Sequence, residues 1–290
     1  MSYEKKLEQI NVMENRWQDA CNQTEIYNLV MRHFTSPLPE GKKVKKAIVV
    51  GYDGCTAEML DYLDREDNGT IKYILENGGH CVFSYAGGKP YPEPIIQETS
   101  TAPGWCAMLT GVTCEENGID DNGFVKELEP KSLFLKLPEA DLVKSAAFYV
   151  SWDGHFTEDN STYLKEKQYI AEKKLDVTFL CADGDDGTRK NVLDDINRDD
   201  CSDFIFLILE YTDHNGHGYD YRPEVPEYMQ AFLSEEEAGY EFIEAIKKRK
   251  SFDEEDWLVL VTSDHGGYKC SHGGETLQER ITFIASNHTI

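Results

Sequence analysis

Three segments made up almost entirely of apolar residues stand out along the chain, at residues 46–51, 204–209 and 257–262. Each run is partly β-branched or aromatic. Each therefore predicts a strand that is buried on both faces, as in a parallel sheet. Further strands are predicted at 81–85, 146–150 and 177–181.

Between these runs the apolar positions recur at helical spacing, over residues 56–77, 187–197 and 224–250. The last stretch has Glu early and Lys or Arg late, the order that complements a helix dipole. This alternation of strands and helices predicts an α/β fold: a doubly wound, mostly parallel central sheet flanked by helices, with small inserted segments near the functional edge.

The first part of the chain has a helical pattern of its own. Its apolar side chains predict one or two amphipathic helices that pack on the outside of the sheet, and the Pro-containing stretch 36–41 leads into the first strand. We therefore predict a helical extension over residues 1–40 and a main domain over residues 41–290. The apolar positions of the extension are Leu7, Ile10, Met13, Trp17, Ile26, Leu29 and Val30.

Composition narrows the range of partners and compartments. A formal net charge of −25 opposes binding to nucleic acid polymers or acidic membranes. The eight cysteines show no CxxC spacing, and no apolar stretch follows the first residues or reaches the length of a membrane span. These features predict free thiols in a cytoplasmic protein.

Acidic and histidine side chains cluster in the last third of the chain, in the segments 213–217 (Asp-His-Asn-Gly-His) and 264–265 (Asp-His) and at His272. Asp53 also follows the first apolar run, so three predicted strands are each followed by a carboxylate just past their carboxyl ends. Ligands of open α/β sheets bind at that edge. Carboxylate and imidazole together suit Zn²⁺ or a similar divalent metal.

A simpler interpretation exists for each residue alone. An Asp after a strand is often a turn or helix-capping residue, and for Asp53 the two interpretations are evenly balanced. His217 alone fits an ordinary loop histidine. The joint occurrence at two strand ends, with a further histidine nearby, favours a metal site. Cys270 is not expected to be a ligand, because the Asp/His set is already sufficient.

The segment 98–111 holds the candidate nucleophile. Small hydroxylated residues precede Pro103, and a helical stretch then runs to Gly111. A helix start offers free N–H groups and partial positive charge to an anionic ester. Thr101 lies at this start, but a threonine hydroxyl needs a metal or a base to attack at neutral pH. On local sequence alone, a capping role for Thr99, Ser100 or Thr101 is the better interpretation.

Several of these segments form an ordered set that resembles the alkaline phosphatase superfamily, most closely its type I phosphodiesterase/nucleotide pyrophosphatase branch, over residues 44–286. The resemblance implies a hydrolase of small phosphate esters, most directly phosphodiesters or nucleotide pyrophosphates. A phosphomonoesterase or phosphonate hydrolase with the same site, or a non-catalytic metal-binding relative, is the alternative. The set consists of Asp53, Thr101-Ala102-Pro103, Asn117-Gly118-Ile119, Asp213 with His217, Asp264-His265-Gly266 and His272.

The resemblance also implies two divalent metals, zinc or else manganese, and a phosphothreonine intermediate on Thr101. Residue by residue, one metal is assigned to Asp213, His217 and His272. The other is assigned to Asp53, Asp264 and His265, with the Thr101 oxygen as a further ligand. His214 is expected to be a structural or supporting residue.

The sequence departs from the branch at Gly104, where an Asn that helps to hold a phosphate oxygen is usual. The oxyanion is then expected to rest on backbone N–H groups or on a different side chain. Residues 218–223, Trp105, Trp152 and His155 are candidates for lining the substrate pocket, although core packing is the commoner fate of such residues.

Overall fold

The computed structural model describes residues 19–65, 67–123, 131–157 and 161–290. The strands are β1 (Cys21–Asn22), β2 (Val44–Tyr52), β3 (His80–Tyr85), β4 (Ala146–Val150), β5 (Val177–Cys181), β6 (Phe204–Leu209), β7 (Glu255–Thr262) and β8 (Ile281–Ser286). The α-helices are α1 (Glu25–Thr35), α2 (Thr70–Glu76), α3 (Thr101–Thr110), α4 (Cys114–Asn117), α5 (Leu133–Glu139), α6 (Leu164–Lys173), α7 (Gly184–Ile196), α8 (Tyr211–Tyr219), α9 (Pro226–Lys247) and α10 (Leu277–Arg280). Short 3₁₀ segments cover Ala57–Arg65, Asp153–His155 and Phe252–Glu254.

All eight strands belong to one sheet, in the order β1-β3-β8-β7-β2-β6-β4-β5. Every neighbouring pair is parallel except the two that involve β8, which is antiparallel to β3 and to β7. The prediction of a mostly parallel α/β sheet flanked by helices is therefore confirmed.

Helices cover both faces of the sheet, which explains why the central strands are almost entirely apolar. On one face, α1, α3 and α5 pack against side chains such as Val49, Phe206 and Leu260. On the other face, α2, α7 and α9 pack against Val50 and Leu207. Each such fully buried side chain contributes about 1.5–3 kcal/mol to the free energy of folding, so the sheet is a rigid platform for its edges.

The three strands that precede the candidate carboxylates are direct neighbours. β2 lies between β7 and β6, with Gly51 opposite Thr262 on one side and Tyr52 opposite Leu209 on the other. The three carboxyl ends are thus level, and the segments that follow them leave the sheet at the same place.

The described part of the predicted N-terminal extension packs against the sheet. In α1, the side chains of Ile26, Leu29 and Val30 are buried in the core beneath the first face. The two-residue strand β1 before it was not predicted, since two residues carry no periodic signal. Leu7, Ile10, Met13 and Trp17 lie outside the described residues.

Helix α8 was also not predicted, because its sequence, with two glycines and few apolar residues, has little helical periodicity. The stretch predicted as one helix over 56–77 is divided into the 3₁₀ segment Ala57–Arg65 and α2. Among the described residues, no helix combines the length and the apolar character that crossing a bilayer requires.

Candidate metal centre and active site

The predicted ligands meet at the carboxyl edge of β7, β2 and β6. Two groups of side chains each bring one donor atom per residue to within 4.8 Å of one another. One group is Asp53, Asp264 and His265, and the other is Asp213, His265 and His272. His265 therefore lies between the two groups, which are adjacent parts of one cluster.

The first group is completely buried. His265 Nε2 lies 3.4 Å from Asp53 Oδ1 and 3.4 Å from Asp264 Oδ2, and all three side chains have no exposed surface. Within the described ranges, neither His265 Nε2 nor Asp264 Oδ2 forms a hydrogen bond. Buried polar atoms without partners are costly and rare. A cation between these atoms would satisfy both, so the donor set fits a divalent metal.

The second group opens towards solvent. The predicted ligand His217 belongs to neither group, but it stands one turn after Asp213 on α8, with its Nε2 at 3.4 Å from Asp213 Oδ2. His272 Nε2 lies 3.8 Å from Asp213 Oδ1, and its ring centroid is 4.9 Å from that of His217. The His217 side chain is 46% exposed. A substrate can therefore approach the cluster from this side.

The three candidate histidine ligands share one orientation. In each, Nδ1 lies within hydrogen-bond distance of a backbone carbonyl, so Nδ1 is assigned as an N–H donor and Nε2 faces the cluster. Second partners of this kind fix the tautomer of metal-ligating histidines. The pairs are His217 with Cys270 at 3.1 Å, His265 with Gly266 at 2.8 Å and His272 with Thr99 at 3.1 Å.

Hydrogen bonds also hold one oxygen of each aspartate. Trp105 Nε1 donates to Asp53 Oδ2 at 2.8 Å, and the Gly54 N–H donates to Asp264 Oδ1 at 3.2 Å. The Tyr221 hydroxyl donates to Asp213 Oδ1. These contacts leave Asp53 Oδ1, Asp264 Oδ2 and Asp213 Oδ2 for a ligand, and they fix the carboxylates before it binds.

The electric field of the cluster favours positive charge at His265. Burial alone would lower the pKa of this histidine, but the carboxylates of Asp264 and Asp53 outweigh burial and raise its pKa to about 10. Burial and the charge of His265 lower the pKa of His272 to about 3. His272 is therefore neutral at pH 7, as ligation requires, and a cation at the cluster would replace the proton on His265.

Thr101 is the first residue of α3 and is 5% exposed. Its hydroxyl Oγ1 lies 3.4 Å from Asp53 Oδ1, at the limit of a hydrogen bond. The N-cap residue is Ser100, whose side chain makes no capping bond, and Thr99 Oγ1 donates to the Gly274 carbonyl. The capping interpretation of these hydroxyls is therefore wrong.

The packing around position 104 leaves room only for glycine in this chain. A Cβ on Gly104 would lie 2.7 Å from Asp264 Cβ and 3.0 Å from the Asp264 carbonyl oxygen, so a side chain here would collide with a candidate ligand. Asn122, which sequence reasoning missed, lies at the start of α3 instead: its Oδ1 accepts the Ala102 N–H at 2.8 Å.

Two residues proposed as pocket lining are core residues. Trp105 is fully buried on the sheet and supports Asp53, and His155 is fully buried with its Nε2 at 3.6 Å from Glu210 Oε1. Of the segment 218–223, Tyr221 is buried under Asp213, whereas Tyr219 is exposed. His214 is exposed, and the two groups of candidate ligands do not include it.

Solved structures with the same fold include a murine ectonucleotide pyrophosphatase/phosphodiesterase 5, with a TM-score of 0.53 and 19% identity over 78% of this chain and 58% of that chain. An alkaline phosphatase from the Antarctic bacterium TAB5 has a TM-score of 0.51 and 15% identity over 85% of this chain and 92% of that chain. At these identities the likeness concerns the fold, which is of the alkaline phosphatase class. The chain spans less than two thirds of the murine protein's length.

The family model for type I phosphodiesterase/nucleotide pyrophosphatase matches residues 47–282. The chain therefore belongs to this family. A comparison with curated protein sequences finds no match.

Trp105→Phe tests the support of Asp53. It removes the N–H donor and leaves a buried carboxylate oxygen unpaired, so we expect a loss of about 1–3 kcal/mol in unfolding free energy and about 10- to 100-fold weaker metal binding. Trp257→Phe is the matched control, because Trp257 Nε1 donates to Glu255 Oε2 at 2.8 Å at the opposite end of β7. It should cost stability without changing metal affinity; equal effects of both variants on metal affinity would refute the support role.

Metal binding should release a proton from His265. Because its pKa is raised to about 10, His265 is protonated in the metal-free protein at pH 8 and must lose that proton to ligate. We therefore expect release of about one proton from this group on metal binding, and weaker binding as the pH falls. Calorimetric titration in buffers with different ionisation enthalpies measures this release. His265→Ala should abolish it and the exposed His214→Ala should not; no release in the wild-type protein would contradict the assignment.

Proposed function

We propose that the protein is a metal-dependent hydrolase of small phosphate esters, most directly phosphodiesters or nucleotide pyrophosphates, with Thr101 as the nucleophile. One observation carries this proposal: the Thr101 hydroxyl lies at the first residue of a helix, 3.4 Å from Asp53, at the edge of a cluster of three aspartates and three histidines. The family membership of residues 47–282 supports the same reaction class.

Two divalent cations fit the donor atoms. Asp213, His217 and His272 would hold one. Asp53, Asp264 and His265 would hold the other, with the Thr101 oxygen as an additional ligand. Both sets mix imidazole nitrogen with carboxylate oxygen, which favours zinc, with manganese as the alternative. When bound, the cations supply charge neutralisation of the phosphate and a lower pKa for the attacking hydroxyl.

Side-chain and backbone groups of this chain would supply the nucleophile and the donors that hold the phosphate. Thr101 Oγ1 loses its proton and forms a bond to phosphorus while the bond to the leaving oxygen breaks, and the leaving oxygen takes up a proton. With a diester, the resulting phosphothreonine still carries the second ester group, and water then hydrolyses its bond to Thr101. The Thr101 N–H at the start of α3, together with the Nδ2 of Asn122, would hold a non-bridging oxygen of the phosphate. This donor set takes over the role of the side chain that is missing at Gly104.

Electrostatics favour a diester over a monoester. A monoester dianion carries one more negative charge, and the chain already has a net charge of −25. The buried carboxylate of Asp185 also lies close enough to Asp53 for their charges to repel, which raises the cost of further negative charge. A phosphomonoesterase or phosphonate hydrolase with the same ligands remains the alternative.

A small nucleotide is the proposed type of substrate. The murine structural neighbour has been solved as an inactive Thr-to-Ala variant in complex with AMP. The acidic surface of this chain disfavours nucleic acid polymers. All eight cysteines are free, which is consistent with the proposed cytoplasmic location.

Thr101→Ala should reduce kcat by at least about 10³-fold, because it removes the nucleophile, and it should leave the fold and the bound metals in place. Ser100→Ala is the matched control: its hydroxyl donates to Glu98 rather than to the cluster, and activity should persist. Acid-quench trapping of labelled phosphate should detect a phosphothreonine in the wild-type protein only. Full activity of Thr101→Ala would exclude the covalent mechanism, and inactivity of the fully metal-loaded wild type would indicate a non-catalytic relative.

The metal-loaded protein should hydrolyse bis-p-nitrophenyl phosphate with a higher kcat/KM than p-nitrophenyl phosphate. The physical reason is the additional charge of the monoester. Initial rates of p-nitrophenol release at one pH measure both values. A faster reaction with the monoester would favour the phosphomonoesterase alternative.

A further inference from the structure

Helix α8, which carries Asp213 and His217, is capped by side chains of two other helices. Its own N-cap residue, Glu210, makes no side-chain capping bond. Instead, Asp185 of α7 accepts the N–H of Glu210 at 2.8 Å and that of the next residue, Tyr211, at 2.9 Å. The following N–H, on Thr212, is accepted by Glu235 of α9 at 2.9 Å. Three consecutive N–H groups at the start of α8 are thus satisfied from outside.

This cap lies directly beside the candidate ligands. Thr212 precedes Asp213, and its Oγ1 donates to the carbonyl oxygen of Asp53 at 2.5 Å. The cap thus joins the start of α8 to Asp53, the residue that follows β2. Any rotation of the first turn of α8 would move Asp213 directly and His217 one turn later.

The hydrogen bonds around Glu235 define its protonation state. Thr212 Oγ1 has one hydrogen, and the Asp53 carbonyl, which can only accept, takes it. The same Oγ1 lies 3.0 Å from Glu235 Oε2 and 3.2 Å from Oε1. A hydrogen bond between these oxygens therefore requires a hydrogen on Glu235. The carboxyl group is 1% exposed, and burial raises its pKa well above the ordinary value, which agrees with a neutral acid.

Asp185, in contrast, is an ionised carboxylate. Both of its oxygens accept the Glu210 N–H, at 2.8 and 3.0 Å, one also accepts the Tyr211 N–H, and the other accepts the Ser151 hydroxyl at 3.1 Å. Each of these groups donates, so Asp185 acts as an acceptor only, as an ionised carboxylate does.

We propose that Asp185 and Glu235 are positioning residues for the metal held by α8: together they cap this helix, Asp185 as an anion and Glu235 as a neutral carboxylic acid. This inference rests on the proposed function. Although both acids are buried, replacement by the corresponding amide should therefore preserve the cap at Glu235 and disrupt it at Asp185.

Glu235→Gln should preserve the cap, because its Oε1 can accept the Thr212 N–H while its Nε2 donates to Thr212 Oγ1. Asp185→Asn should disrupt it, because both carboxylate oxygens face the Glu210 N–H and either orientation of the amide places an NH₂ group against that donor. Asp195→Asn is the matched control on the same helix: Asp195 is buried and accepts the Tyr149 hydroxyl and the Ser202 N–H, away from α8.

Zinc titration of the full chain against a chromophoric chelator, combined with kcat and KM, tests the proposal. We expect Asp185→Asn to bind one of two ions about 10- to 100-fold more weakly and the other normally, with kcat reduced in proportion at limiting zinc. Glu235→Gln and Asp195→Asn should bind both ions as the wild type does.

Wild-type affinities in Asp185→Asn would overturn the positioning role, and a loss in Glu235→Gln comparable with that in Asp185→Asn would overturn the neutral-acid assignment. The Glu235→Gln result decides the neutral-acid assignment even if Asp185→Asn fails to fold. A wild-type protein that binds fewer than two ions would instead overturn the two-metal function on which this inference rests.

Discussion

The site depends on one electrostatic constraint: the sheet brings buried carboxylates to a single edge, where only a cation can balance them. Asp53, Asp213 and Asp264 follow three neighbouring parallel strands whose carboxyl ends are level. Close carboxylates repel one another in a medium of low dielectric constant, and desolvation adds to the cost. The raised pKa of His265 shows how strongly this arrangement favours positive charge. A metal-binding function follows from this constraint more directly than from any single ligand.

The surrounding structure keeps the carboxylates in place against their repulsion. Trp105 and Tyr221 each donate to one carboxylate oxygen, and α7 and α9 hold the start of α8 through Asp185 and Glu235. The helices on the two faces of the sheet therefore have a second role besides burial of the core, since their polar side chains fix the elements that carry the ligands. Thr101 depends on the same arrangement, because α3 packs closely enough for Gly104 to contact Asp264.

Much of the fold, and the gathering of most candidate ligands at one edge of the sheet, could be predicted from the sequence. Almost entirely apolar segments identified β2, β6 and β7, and the residues that follow these strands in the sequence also lie together in space. The cap of α8 could not be predicted, because Asp185 and Glu235 are distant in sequence and their partners are backbone groups that leave no pattern. The same holds for Asn122, whose position depends on tertiary contacts at the start of α3. Trp105 and His155 could be either pocket-lining or core residues on residue type, with core packing the commoner outcome, and both are buried in the core.

The most direct test of the account is an anomalous difference map from crystals of the protein grown with zinc. The account predicts two peaks per chain, one within about 2.0–2.2 Å of donor atoms of Asp213, His217 and His272 and the other at the same distance from those of Asp53, Asp264 and His265. Zinc peaks elsewhere, with none at this edge of the sheet, would contradict it.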